Sequence, residues 1–313
     1  MLLLSILVVG WALVPPSTPV RRGGRVFSTE LEVVEEEVAM GPPPDDPNDV
    51  PAVVVGGGRI GGLLSSLGPK DVMMTRTSGW PEDAPAEGPI YVCTRNDALD
   101  SVIDATPVDR RDDLVFLQNG MLGPYLESKG LAHATQGLVY FAVAKLGDAP
   151  VDGVTDLDPQ GLTTATGKWA PAFKARLAKA GLKCHVKEGE DFQRAMLEKH
   201  VWICAFMLVG ASRGCTVGEV EANYASEFDE LAEEMVSAGE AALGITLAPG
   251  YLDRLKAYAR SVSHFPTAIK EFSYRNGWFY KMSMDAFAAG QSDPLPIHTK
   301  LLYDLNMPLP IPI

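Results

Sequence analysis

Cysteine is scarce in this chain, and so is positive charge. Four cysteines occur in 313 residues: Cys93, Cys184, Cys204 and Cys215. None forms a CxxC pair, and no Cys/His spacing suits a metal, so a metal site is not expected. The thiols read as reduced and mostly buried. Lysine and arginine total 27 against 40 acidic residues, a net charge of −13. A broad nucleic-acid surface is excluded on that balance. No internal repeat occurs, and after Val14 no apolar run reads as long enough to cross a bilayer. What remains is 46% hydrophobic residues and a mean hydropathy near zero. These suit a soluble globular protein with a sizeable core, and the length allows two domains.

The first fifty residues differ from the rest. Met1 to Val14 is almost wholly apolar and is stopped by Pro15-Pro16. Its length fits a signal-peptide core, although no positive segment precedes it. Arg21, Arg22 and Arg25 follow among hydroxylated residues. A hydrophobic segment followed by a basic, hydroxylated one looks like a bipartite plastid presequence. A secretory signal and an untargeted, cytoplasmic tail are the rivals. Residues 30–50 are acidic, then rich in Pro and Asp, and read as a disordered linker.

An apolar run, Ala52-Val-Val-Val55, then enters Gly56-Gly57-Gly58-Arg59-Ile60-Gly61. Gly56, Gly58 and Gly61 fit G-x-G-x-x-G between a strand and a helix. The first glycine allows the tight turn and the second lets backbone approach a pyrophosphate. The third lets helix and strand pack closely. Phosphates would sit on free N–H groups at the helix start. Gly56, Gly58, Arg59, Ile60 and Gly61 are therefore predicted cofactor contacts.

Three further strands point to the same edge. Asp71-Val-Met-Met-Thr-Arg76-Thr-Ser78 reads as a second strand ending in Arg76. An arginine there accommodates a 2′-phosphate, whereas no acid follows directly to bond a ribose hydroxyl. NADP(H) is preferred to NAD(H) on that ground, with a plain surface charge as the other reading. Pro89 to Thr94 is a third strand, ending at Arg95. Asp113 to Gln118 is a fourth, ending at Asn119-Gly120, which is equally a turn signal. Ligands of open α/β sheets bind at the carboxyl ends of strands. Residues 135–166 read as antiparallel strands, Ala170 to Ala180 as a helix, and Leu182 to Lys187 as a last strand.

From Asp191 the pattern turns helical. Asp191 is read as the cap of a helix running to about Val209, apolar on every face and hence central. Lys199 stands at the head of its apolar run. A lysine there is either snorkelling or paired, or it is an acid and charge stabiliser beside a cleft. Gly218 to Leu243 reads as one long helix and Tyr251 to Ser263 as another. Ala268 opens a third and His298 a last one. Their apolar faces would serve the core or a homodimer interface.

Together these residues resemble the ketopantoate reductase family, within the 6-phosphogluconate dehydrogenase-like group. Leu117-Gln118-Asn119-Gly120-Met121 is similar to its strand-end motif. Glu198-Lys199 is similar to the segment of its catalytic lysine. Lys270-Glu271-Phe-Ser-Tyr-Arg-Asn276-Gly277 is similar to its glutamate motif. The resemblance implies a Rossmann-like α/β domain over 51–188 and an all-α domain over 189–313. It implies NADPH-dependent reduction of a 2-oxo acid, in the family ketopantoate to pantoate, on the route to pantothenate and coenzyme A. Lys199 would protonate the forming alkoxide, and Glu271 would position lysine and substrate. Asn119 would lie beside the nicotinamide, Arg76 on the 2′-phosphate and Arg95 in the cofactor site. Ser263 would hold the substrate carboxylate. Ile203 and Met207 stand where the family commonly has asparagine, which points to a more apolar oxo acid. A cofactor-binding sensor or scaffold without turnover is the non-enzyme alternative.

Overall fold

The computed structural model describes residues 46–307 and 309. The segment expected to be a presequence lies outside the described residues. Seven strands form one sheet: β1 (Val53–Val55), β2 (Val72–Met74), β3 (Ile90–Val92), β4 (Leu114–Phe116), β5 (Thr135–Leu138), β6 (Thr164–Thr166) and β7 (His185–Val186), in the order β2-β1-β3-β4-β5-β6-β7. The first five are mutually parallel. β6 runs antiparallel to β5, and β7 is parallel to β6. The antiparallel expectation for residues 135–166 is thus corrected: β5 continues the parallel sheet, and the direction reverses only at β6.

β1, β3 and β4 are buried on both faces, which is why each reads as an unbroken apolar run. Val53, Val55, Ile90, Val92, Leu114 and Phe116 share one face with Leu99, Val102 and Leu126. These last come from α2 (Leu99–Ala105) and α3 (Gly123–Ser128). Val54, Tyr91 and Val115 share the other with Leu64 and Phe173, from α1 (Arg59–Leu67) and α4 (Ala170–Ala178). The period of two sorts each strand onto both faces. Between β2 and β3 the chain forms turns and no helix. β2 is therefore an edge, and the strand that would flank it in a full dinucleotide-binding sheet is missing.

The acidic linker is shorter than its composition suggests. Asp49 is buried, its Oδ1 2.6 Å from Arg176 Nε. Arg176 also pairs with Asp71 and donates to the carbonyls of Leu64 (3.1 Å) and Val50 (2.8 Å). This fully buried guanidinium ties the chain before β1 to α1, β2 and α4.

The helical half is α5 (Gly189–Arg213), α6 (Val217–Asn223), α7 (Ala225–Leu243), α8 (Tyr251–Ser261), α9 (Asn276–Ala288) and α10 (Pro296–Asp304). α5 packs against α6, α7, α8 and α10 and also touches β5 and β6. By length and composition α5 could cross a membrane, contrary to the sequence reading, but 72% of its most apolar window is buried in the protein. Its N-cap is Glu188, with Asp191 inside the first turn, and it ends at Gly214 with φ 64°. Glycine takes that left-handed C-terminal position without strain. The helix expected over 218–243 is two. Thr216 and Glu219 make a capping box for α6, and Tyr224 (φ −132°, ψ 27°) breaks the run before α7. Ala268 to Arg275 is not α-helical. It carries a short turn at Phe272–Tyr274 preceded by Glu271 at φ 49°.

Candidate active site

At the glycine turn, Gly56 has φ 100°, a conformation L side chains rarely adopt. A Cβ on Gly61 would lie 1.9 Å from the Gly56 carbonyl oxygen, so helix and turn touch through bare backbone. On Gly57 and Gly58 a Cβ would meet nothing within 4 Å. Gly58 caps α1 with no side-chain bond to the first turn. Open space beside free helix N–H groups fits a pyrophosphate. Arg59 does not lean into that space. Its Nη1 donates to the carbonyls of Val143 (3.0 Å) and Ala144 (3.2 Å), tying α1 to the segment after β5.

A cavity of about 450 Å³ opens at the ends of β1, β2 and β3, lined by Gly56, Arg76, Arg95 and Asp97 among others. Arg76 and Arg95 are both exposed, as expected of groups that meet a phosphate in solvent. Arg95 pairs with Asp97, which is the sole carboxylate lining this cavity.

A second cavity, of about 400 Å³, runs between the two halves. The sheet half gives it Arg59, Ile60, Asn119, Val139 and Phe141, and the helical half Lys199, Trp202, Ile203, Met207, Lys270 and Arg275. Lys199 is 8% exposed. Its Nζ donates to the Val139 carbonyl and stands 4.5 Å from the centre of the Tyr140 ring. Burial, helped by the charge of Arg275, pushes its pKa down from 10.5 to about 7. Desolvation disfavours an ammonium, and a nearby cation does so again. The result is a lysine that gives and takes a proton near neutral pH.

The two matched motifs dock onto each other. Gln118 Nε2 donates to the carbonyls of Val92 (2.8 Å) and Thr94 (3.0 Å), holding the end of β3. Met121 N–H donates to the Tyr274 carbonyl at 2.8 Å. Gly120 has φ 124°, and a Cβ there would lie 2.4 Å from that same carbonyl oxygen. Asn96 then links the halves: its Nδ2 donates to the Asn119 carbonyl (2.9 Å) and its backbone N–H to Glu271 Oε1 (3.1 Å).

Two sequence expectations meet a different geometry. Glu271 does not hold Lys199. Its second oxygen accepts from Arg275 Nη2 at 2.5 Å. Ser263 is exposed and is not among the residues lining the cleft; its carbonyl accepts the Gly218 N–H at 2.9 Å. Sequence reasoning missed Arg275 and Tyr140. Arg275 sits inside the glutamate motif and was readable there as a charge entering a helix start. Tyr140 lay in an apolar run and gave no signal.

A largely parallel α/β sheet is joined to a helical half, and a buried lysine stands in the cleft between them. No protein-family model matches the chain, and no curated protein matches its sequence. Solved structures match its fold. A ketopantoate reductase from Ralstonia eutropha aligns with a TM-score of 0.60 at 15% identity, over 82% of this chain and 99% of that one. The dimeric ketopantoate reductase of Staphylococcus aureus gives 0.59 at 15%, over 82% and 99%. D-mandelate dehydrogenase, in complex with NADH, gives 0.59 at 13%, over 82% and 98%. The fold is the one these reductases share, as the motif resemblance implied.

Proposed function

We propose that this protein is an NADPH-dependent reductase of a 2-oxo acid, of the ketopantoate reductase type. The observation that carries the reading is Lys199, buried in the cleft it shares with the head of α1 and tuned to about 7. A nicotinamide supplies a hydride when bound. Lys199, as the ammonium, donates its proton to the ketone oxygen as the carbonyl carbon is reduced, and its charge stabilises that oxygen. A general acid contributes typically ~10²–10⁴-fold, most when its pKa lies near the working pH. Val139 and Tyr140 hold the amine in place, and Asn119 lies at the strand end where the nicotinamide would rest. Arg76 and Arg95 favour a 2′-phosphate, and thus NADPH over NADH.

Ile203 and Met207 line the same cleft and favour a second reading of the substrate, an oxo acid with an apolar side chain in place of ketopantoate. Trimethylpyruvate, which lacks only the hydroxyl of ketopantoate, separates the two. An apolar pocket prefers it by roughly up to 100-fold, whereas a pocket built for the hydroxyl rejects it by far more. The test is loss of reduced-nicotinamide absorbance by the full chain with both acids. Turnover that vanishes in Lys199→Ala, with NADPH binding intact, supports a reductase. NADPH binding without turnover of any 2-oxo acid leaves a sensor or scaffold and sinks the reductase reading.

A further inference from the structure

The cleft between the two halves is cationic. Arg59, Lys199, Lys270 and Arg275 line it, and no carboxylate does. Of these, Arg59 is spent on two carbonyls of the sheet half. Lys199 is held by Val139 over Tyr140. Lys270 is exposed. Arg275 differs from all three. Its side chain is only 11% exposed, yet its guanidinium is incompletely bonded. Nη2 donates to Glu271, while Nε is buried and has no hydrogen-bond partner among the described residues. A buried orphan donor on a charged group is expensive, and native structures seldom keep one without a purpose.

We propose that Arg275 is the group that holds the substrate's carboxylate, and that Glu271 is the positioning residue that aims it. The proposal rests on the reductase reading above and names the part of the substrate that this cleft recognises. The guanidinium is a planar fork suited to a carboxylate. Arg275 is also near enough to Lys199 for its charge to be felt there. A 2-oxo acid carries its carboxylate on the carbon next to the ketone. An anchor close to the proton donor is therefore what such a substrate needs. Ser263, expected to do this, is not on the cleft wall.

Glu271 explains how the guanidinium is placed. Its backbone has φ 49°, which an L residue adopts only under constraint. Both carboxylate oxygens are used, one on Arg275 and one on the Asn96 N–H of the sheet half. The glutamate thus ties the anchor to the half that binds the cofactor. It leaves the Nε donor for a ligand. Substrate carboxylate, anchor and cofactor-binding sheet then share one hydrogen-bonded frame.

The test uses the full chain with saturating NADPH, at about pH 6, where Lys199 is protonated and its titration does not intrude. The substrates are trimethylpyruvate and its methyl ester, which has the same ketone and side chain but no charge. Arg275→Met is expected to raise KM for the acid by roughly 10–100-fold, the worth of a charged hydrogen bond. The kcat should move far less. For the ester, kcat/KM should stay within a few-fold of wild type. Arg275→Lys keeps the charge but loses the fork, so its KM for the acid should fall between. Glu271→Gln should raise KM for the acid and not for the ester. NADPH affinity, measured by fluorescence, reports that each variant is folded. Equal losses for acid and ester in Arg275→Met would overturn the proposal, because Arg275 would then be structural. An unchanged KM for the acid would do the same. Wild type that binds NADPH and reduces neither compound nor any other 2-oxo acid removes the reductase reading, and the anchor with it. A wild type that reduces the ester as well as the acid keeps the reductase reading and sinks the anchor alone.

Discussion

Replacing Lys199 by methionine should change how stability depends on pH, whatever the protein's function. The side chain is 8% exposed, and burial is the first cause of its lowered pKa, from 10.5 to about 7. That lowering corresponds to a ceiling of roughly 5 kcal/mol. The direction follows from proton counts. Between about pH 7 and 10.5 the unfolded chain keeps the proton and the folded one has lost it, so wild-type stability rises with pH across that window. Below about 7 both states are protonated, and the burial penalty is present in full. Between about pH 6 and about pH 9 wild type should gain roughly 2–3 kcal/mol that Lys199→Met does not. Urea melts of the two proteins at both pH values measure this, since all other groups cancel in the difference. A constant difference between them would refute the reasoning and show that Lys199 titrates as an ordinary lysine. The same pKa predicts activity: reduction should fall as pH rises through about 7, as the ammonium is lost.

Three further outcomes are expected. Gly120→Ala should destabilise by about 2 kcal/mol or more, because φ 124° is strained for alanine and the new Cβ meets the Tyr274 carbonyl; Gly123→Ala, with open space around it, is the control and should change little in the same denaturant melts. Arg176→Met should cost about 3–5 kcal/mol by stranding Asp49 and Asp71. That loss should shrink toward acid pH as Asp71, whose pKa burial raises, takes up a proton; melts at two pH values show it. Arg76→Ala should weaken NADPH by roughly 10–100-fold and leave NADH nearly untouched, if a charged hydrogen bond to the 2′-phosphate is lost; fluorescence titration with both cofactors decides.

β1, β3 and β4 were legible because parallel strands buried on both faces leave short unbroken apolar runs. The glycine turn was legible because backbone contact at Gly56 and Gly61 admits no side chain. Lys199 stood out as one charge at the head of an apolar helix. What the sequence hid is of another kind. The reversal at β6 depends on where the chain goes between Leu138 and Thr164, a path with no periodicity. The break at Tyr224 carries neither proline nor glycine. Asp49 read as linker because its neighbours are proline and aspartate. Its partner Arg176 lies 127 residues on, and composition says nothing about pairs that distant. Ser263 was placed by counting residues to a motif, which fails when the intervening segment changes length.

Arg275 shows why residue identity at a matched motif is weaker evidence than its bonds. Glu271 lies next to the sheet half, between the cleft-lining residues Lys270 and Arg275 in the chain. Yet one of its oxygens is taken by a guanidinium four residues on, and the other by the backbone of Asn96. Lys199 makes no bond to either oxygen and donates to the Val139 carbonyl. The lysine is held instead by a backbone carbonyl and an aromatic face, neither of which has a charge to gain or lose. Its pKa is then set by burial and by Arg275 alone, the two causes that act on it. Substrate can alter the second. A carboxylate on Arg275 would offset the cation that depresses Lys199, raise the lysine's pKa and make the ammonium more abundant when the ketone is in place. Binding and proton supply would thereby be coupled through one arginine. The glutamate's part is to keep that arginine fixed to the sheet half.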